Sequence, residues 1–318
     1  MREKGFLCFG LVLLDILVSG VSRLPSHWED SVLGAEVSRA VGGGAANSAA
    51  ALGKLGARAS VAGMIGSDDF GDVILSMLER SCVDASNLLR SKEEPSGVSI
   101  GLINPDGQRC FIVSRGANQR LDAAGLCSLN PDDCHFLLIN GFFQFPQAET
   151  CLLHSVKQYS ESGVQIAFDM ASWDPSDRWM AAIKPFAPLI DVFFANSAQL
   201  KRLTCEEDLN AGAEMMLDLG VKTLVIKKGH SGCDIHDGHE IISVRSPDVS
   251  VIDTTGAGDV FDAAYILGVS KGWKPRLCGA FANTVAGLSC ESLGAGAGVP
   301  DYERAVEAMN SFYPKGGF

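Results

Sequence analysis

The sequence predicts an α/β fold, a mostly parallel sheet covered by helices on both faces. Three observations carry this. Short apolar runs recur along the 318-residue chain, each of strand length. Segments of helical pattern lie between them, so strand and helix alternate. Turn signals that would join antiparallel neighbours are confined to two stretches, around Asn104-Pro105-Asp106-Gly107 and Asp237-Gly238.

Taken in order, Gly5 to Leu14 reads as a buried first strand ending at Asp15. Its charged start and apolar centre also resemble a signal peptide, but Asp15 interrupts the run and the strand is the better reading. Gly42-Gly43-Gly44 opens a helix of small residues, Ala45 to Leu55. Arg58 to Ile65 is a strand, and Ser67 or Asp68 caps a helix running to about Arg80. His135 to Ile139, Val164 to Phe168, Val192 to Ala195, Thr223 to Ile226 and Val249 to Ile252 are further short strands. Helical patterns fall at Ala148 to Tyr159, Ala211 to Leu219 and Val260 to Gly268. Val18 to Arg39 is irregular, and Ser96 to Ser114 alternates apolar and polar residues about its turn. Together these read as a small antiparallel flap projecting from the sheet. Asp234 to Val244 is a second hairpin. No repeat, low-complexity tract or linker divides the chain, so 1–318 is expected to be one domain with lid segments at about 16–40 and 91–116.

Hydrophobic residues make up 47% and charged residues 20%, enough to bury a sizeable core. The net charge of −12 argues against a nucleic-acid or acidic-membrane partner, since both need a basic surface. No apolar run reaches membrane-spanning length. The ten cysteines are scattered through apolar runs without a Cys-x-x-Cys pair, which suits reduced thiols in a cytoplasmic protein.

The chemistry is expected at Asp253-Thr254-Thr255-Gly256-Ala257-Gly258-Asp259. Gly256, Ala257 and Gly258 lie between a strand-like run and a helix, so their backbone N–H groups can turn toward one point. The helix start adds unpaired donors and the positive end of its dipole, which together make an anion site suited to phosphate. Asp259, in the first turn, would repel a bound phosphate unless it has other work. That work is to accept the proton of a hydroxyl attacking phosphorus. A plain tight turn with an Asp at the helix start is the competing reading of the same residues.

In an α/β sheet, ligands bind beyond the carboxyl ends of the strands. Asp15, Gly42, Gly43, Asn47, Asp169, Asn196 and Asp259 all fall there. Carboxylates accept from hydroxyls, and Asn both donates and accepts, so the set suits a polyhydroxylated ligand. For each residue alone, helix capping or hydration of a strand end would serve as well.

Two long runs carry a family resemblance. Gly42-Gly43-Gly44-Ala45-Ala46-Asn47-Ser48-Ala49, with Gly56 and Gly66 at their spacings, resembles the N-terminal signature of the ribokinase-like (PfkB) carbohydrate kinases. Asp253 through Ile266 resembles their C-terminal signature, in the right order and more than two hundred residues on. Gly10 to Asp15, Gly66 to Gly71, Gly229-His230-Ser231-Gly232 and the segment around Asn283 extend the likeness over essentially the whole chain.

The resemblance implies a three-layer αβα sandwich with a small β-sheet lid. It also implies ATP-dependent phosphorylation of a hydroxymethyl group on a sugar or sugar-like acceptor, with Mg²⁺ on the ATP phosphates. By position, Asp259 resembles the catalytic base, and Gly256, Ala257 and Gly258 the anion hole. Asp15, Gly42, Gly43 and Asn47 resemble sugar ligands. Asn196, Lys227, Gly229, Gly232 and Asn283 look like the nucleotide side. Asp253 and Thr255 stand where many members bind a monovalent cation such as K⁺. A homodimer joined through the lid is implied as well. The chain departs from the family at Gln199, which stands where members usually carry Glu, and at Lys227, where many carry Thr. The first departure bears on how the metal is arranged, and Gln199→Glu would be expected to lower the Mg²⁺ requirement. A nucleoside kinase of the same fold and a sugar- or nucleotide-binding regulator with weak turnover are the alternative readings.

Overall fold

The computed structural model describes residues 4–21, 35–104, 109–123, 125–145, 148–170 and 179–314. In chain order its strands are β1 (Gly5–Gly10), β2 (Leu13–Ser19), β3 (Glu36–Gly42), β4 (Ala59–Gly66), β5 (Val83–Ser91), β6 (Gly97–Ile103) and β7 (Arg109–Ser114). After these come β8 (Cys134–Asn140), β9 (Gln165–Asp169), β10 (Val192–Asn196), β11 (Thr223–Lys227), β12 (Cys233–His236) and β13 (Ile241–Val244). The helices are α1 (Gly44–Lys54), α2 (Asp69–Arg80), α3 (Glu149–Glu161), α4 (Trp179–Ile183) and α5 (Ser197–Thr204). They continue with α6 (Leu209–Asp218), α7 (Ala257–Ser270), α8 (Pro275–Ser289) and α9 (Tyr302–Phe312).

Nine strands form the main sheet in the order β13-β12-β11-β10-β9-β8-β1-β4-β5. All neighbours from β11 to β5 are parallel, and the hairpin β12–β13 adds an antiparallel edge. Alternation along β1 feeds two cores. Phe6 and Cys8 point to the layer of α1, α2, α7, α8 and α9, while Leu7 and Phe9 point to the layer of α3, α4, α5 and α6. The strands are apolar on both faces because helices cover both. The expected αβα sandwich is the observed one.

The first apolar run differs from expectation in an instructive way. It is not one strand but two: β1 ends at Gly10, and the chain crosses into a second sheet that begins at Leu13. The crossing is pinned by Asn118, whose Oδ1 accepts from the Val12 N–H (3.1 Å) and whose Nδ2 donates to the Val12 carbonyl (2.9 Å). Asp15 therefore lies within β2 rather than at the end of β1. The second sheet runs β3-β2-β6-β7. Its outer pairs are antiparallel as anticipated, but β2 and β6 are parallel because both leave the main sheet in the same direction. Part of the irregular stretch, from Glu36, is strand β3, while residues 22–34 and the turn at 105–108 lie outside the described residues.

Val249 to Ile252 also departs from expectation, forming no strand. With Val251 and Ile252 exposed, it pairs with no strand and is tied instead to the end of α8. The N–H groups of Ile252 and Asp253 both donate to the Cys290 carbonyl (2.8 and 3.0 Å). The strand β5, unanticipated, is an edge strand whose polar sequence hides its pairing with β4. Among the described residues, no helix is long and apolar enough to cross a membrane.

Candidate active site

The N-terminus of α7 is the centre of the site. Gly256 caps the helix with φ 71°, a left-handed conformation that a side chain would strain. A Cβ there would also lie 2.7 Å from the Ala295 Cβ, so the turn packs directly on the glycine-rich segment after α8. The Ala257 N–H makes a long bond to the Thr254 carbonyl (3.3 Å), and Val260 closes the first helical turn onto Gly256 (2.9 Å). The N–H groups of Gly258 and Asp259 between them find no carbonyl acceptor among the described residues, the arrangement an anion would complete.

Asp259, in this first turn, is fixed from the side of α1. The Asn47 amide donates to its Oδ2 (2.8 Å), and the Ser48 hydroxyl donates to its carbonyl (3.0 Å). Ser48 in turn accepts from Asn140 Nδ2 (3.0 Å) at the end of β8. Burial, reinforced by the nearby Asp169, raises the Asp259 carboxyl to about 6 against the opposing pull of Asn47 and Lys227. That is the range in which a carboxylate is a useful base near neutral pH.

Asp15 reaches the same region from β2. Its carboxylate lies over the Cα of Gly42, where a Cβ would fall 2.2 Å from Oδ1, so Gly42 is glycine for room. Gly43 adopts φ 86° and turns the chain from β3 into α1. Burial raises Asp15 to about 6 as well, with a Ser99 hydrogen bond opposing and Asp259 and Asp253 adding to the rise. The Oδ1 atoms of Asn47 and Asn140 are buried and have no hydrogen-bond partner among the described residues. Two orphaned acceptors beside two carboxylates form a surface suited to hydroxyl donors.

On the other side of the α7 N-terminus lies a cavity of about 400 Å³. Lys227, Gly229, Gly232, Ala257, Gly258 and Asn283 line it, with Val249, Val251 and Ala286 supplying an apolar wall. Asn283 also ties down the end of β13, donating to the Val244 and Arg245 carbonyls (3.2 and 3.4 Å). Asn196 is not among the residues lining this cavity. It caps α5 in a reciprocal box, with Gln199 N donating to Asn196 Oδ1 (2.8 Å) and Asn196 N to Gln199 Oε1 (2.7 Å).

Behind the site, the Asp253 carboxylate is buried and accepts from Thr255 N (2.9 Å), Thr255 Oγ1 (2.7 Å) and Gly294 N (2.9 Å). It thereby joins the turn before α7 to the loop after α8.

Two further residues complete the cluster: Asp262, given no role from sequence, and Asp169, read from sequence as a strand-end group facing the ligand. Asp262 and Asp169 both accept from Lys227 Nζ, Asp262 through both oxygens (2.9 Å each) and Asp169 through Oδ1 (3.0 Å). Asp262 follows Asp259 by three positions and so shares its helix face, a spacing visible in the sequence. Asn140 ends β8 at the binding edge, which the strand-end rule could also have found.

The fold and these placements agree with known proteins. The profile of the family described as "pfkB family carbohydrate kinase" matches residues 6–302. The chain belongs to this family. An uncharacterized sugar kinase of Archaeoglobus fulgidus is 29% identical over 259 residues, covering 78% of this chain and 98% of that protein. A ribokinase of Arabidopsis thaliana is 27% identical over 310 residues, covering 93% of this chain and 78% of the relative. The solved structure of Arabidopsis thaliana ribokinase complexed with ribose and ATP superposes with a TM-score of 0.83 at 25% identity, covering 97% of this chain and 99% of that one. This PfkB kinase is thus an ATP-dependent carbohydrate kinase.

Proposed function

We propose that the enzyme transfers the γ-phosphate of ATP to a hydroxymethyl group of a sugar or sugar-like acceptor, with Asp259 as the general base. One observation carries the reading: Asp259, hydrogen-bonded to Asn47 among the hydroxyl acceptors, directly follows Ala257 and Gly258, which line the cavity. On the sugar side, Asp15, Asn47 and the backbone of Gly42 and Gly43 hold the acceptor, and the free carboxamide oxygens of Asn47 and Asn140 take its hydroxyl protons in hydrogen bonds. On the nucleotide side, Gly229, Gly232 and Asn283 line the place of ATP, and Lys227 reaches its phosphate end. As the phosphoryl group moves, charge spreads over its oxygens, and the turn Gly256-Ala257-Gly258 with the α7 dipole stabilises it, the N–H groups of Gly258 and Asp259 being the ones without a carbonyl acceptor among the described residues. Asp259 receives the proton leaving the acceptor hydroxyl. The sheet of β2, β3, β6 and β7 serves as the lid of a single domain, excluding water as a competing acceptor.

Mg²⁺ bound to the ATP phosphates would neutralise their charge. The carboxylates of Asp169 and Asp262 are engaged by Lys227, and Asn196 and Gln199 by each other, so the ion would draw its ligands mainly from ATP and water. Asp253 and Thr255 offer hard oxygen atoms for a monovalent cation such as K⁺ behind the anion hole. The outer face of the lid supports a homodimer. Opposite Asp15 and Ser99, the register turns Val18, Val37, Ile100, Leu102 and Ile112 outward together with Arg39, while Ile16 on the same face packs against the main core. Val37 and Ile112 are 67% and 64% exposed. A net charge of −12 supports neither a nucleic acid nor an acidic membrane as partner, and ten cysteines outside any disulfide among the described residues support a cytoplasmic location.

ATP consumption measured across hexoses, pentoses, sugar acids and nucleosides tests the reading. Sugar-dependent ADP release is the expected result. Turnover confined to nucleosides would move the enzyme to the nucleoside kinases of this fold, and ligand binding with no turnover would make it a regulator.

A further inference from the structure

Asp259 does not stand alone beneath the anion hole. The carboxylates of Asp169 on β9, Asp259 and Asp262 on α7 converge to within 4.8 Å of one another. Among the described residues one cation faces them. Lys227 on β11 donates to Asp169 Oδ1 (3.0 Å) and to both oxygens of Asp262 (2.9 Å each). The Lys227 side chain is 14% exposed, that of Asp169 6% and that of Asp262 0%. Lys227 Nζ also lies 3.4 Å from where a Cβ of Gly258 would be, one residue before Asp259.

Three carboxylates and one ammonium in so little space leave the group short of positive charge. In water such a deficit would be screened, but at this burial each unit charge acts strongly on its neighbours. Burial would lower Lys227, yet Asp169 and Asp262 outweigh it and hold the ammonium above the usual lysine range. Burial pushes the Asp262 carboxyl up, with Lys227 opposing.

We propose that Lys227 is the built-in counter-ion of the base: clamped by Asp169 and Asp262, it sets the charge around Asp259 and so the pH range over which Asp259 accepts the acceptor's proton. Asp262 and Asp169 act through Lys227 and are positioning residues. The other titratable groups coupled to Asp259 are Asp15 on β2 and Cys8 on β1, while Asn47, Ser48 and Asn140, facing it from α1 and β8, are uncharged. Lys227 is thus the cation coupled to Asp259 among the described residues.

The inference rests on Asp259 being the base, and its test separates the two. The pH profile of kcat/KM for the sugar, at saturating MgATP, is compared in wild type, Lys227→Met, Asp262→Asn and the double variant. Activity needs Asp259 ionised, so the rate falls as pH falls through its acid limb. Removing the ammonium leaves more negative charge around Asp259, and the limb of Lys227→Met moves to higher pH by about one unit or more. Removing the Asp262 charge acts oppositely, moving the limb to lower pH. The double variant loses one charge of each sign and returns near the wild-type limb. It also provides a folded comparison should Lys227→Met strand its two partners and fail to fold. Limbs that stay in place while kcat falls would overturn the proposal, reducing the cluster to structure or plain phosphate contact. The separate variant Asp259→Asn checks the premise. If it turns over at the wild-type rate, the base reading itself fails, and with it the tuning.

Discussion

At the scale of single residues, the site is built from groups held against their preference. Asp259 and Asp15 are carboxylates whose ionised forms burial disfavours, each raised to about 6. On the proposed reading Asp259 is the base, and replacing it with Asn keeps the hydrogen bond from Asn47 while removing the proton acceptor. Asp259→Asn is expected to lower kcat by about two to four orders of magnitude with sugar binding preserved. The same raised carboxyl bears on stability. A carboxylate with a folded value above its unfolded value makes the folded state lose ground as pH rises from about 4 to about 6. Asp259→Asn escapes that loss, so its thermal midpoint should match wild type near pH 4 and exceed it at pH 8. The gain at pH 8 should be on the order of 2 kcal/mol. Melting curves at the two pH values decide this, and an unchanged difference between them would remove the linkage. Asp15→Ala should weaken sugar binding by about 1.5–3 kcal/mol, the range for hydrogen bonds to a charged group. Calorimetry with ATP should then change little, whereas equal loss of both ligands would make Asp15 structural.

At the scale of elements, the Asn196–Gln199 box gives the family departure at Gln199 a local meaning. The expectation that a Glu there would ease the metal requirement assumed that the side chain points toward the metal. Instead its Oε1 caps the Asn196 N–H at the start of α5. A Glu can accept the same bond and adds a negative charge where the helix dipole favours one. Gln199→Glu is therefore expected to leave the Mg²⁺ titration unchanged and to hold or slightly raise the thermal midpoint, by about 0.3–1 kcal/mol. A clear fall in the Mg²⁺ concentration needed for half-maximal rate would return Gln199 to the metal.

At the scale of the whole molecule, the proposed dimer gives the lid a second role beside the site. Its inner face carries Asp15 and Ser99, and its outer face exposes Val37 and Ile112 beside Arg39. Placing a charge in the middle of such a surface should prevent association between copies without reaching the site. Ile112→Asp is expected to shift the enzyme from dimer to monomer in sedimentation or light scattering at micromolar concentration. A wild-type chain that is already monomeric there would remove the lid as an interface.

Much of this was legible in the sequence, because it depended on local pattern. Strand and helix alternation follows from which residues are apolar, and the turn at Gly256 and the position of Asp259 in the first turn of α7 follow from glycine spacing and helix-start chemistry. The α/β class and the two glycine-marked ends of the site were therefore set by neighbours along the chain. What only tertiary structure decided depended on residues far apart. Asp15 reads as the end of one strand, yet Asn118, more than a hundred residues away, breaks that run and sends it into the lid. Val249 to Ile252 has a strand's composition but no ladder to join, since the sheet has already ended at β13. Lys227, Asp169 and Asp262 each look ordinary alone. They form one buried ion cluster because β9, β11 and α7 meet there, and charges act through space rather than along the sequence.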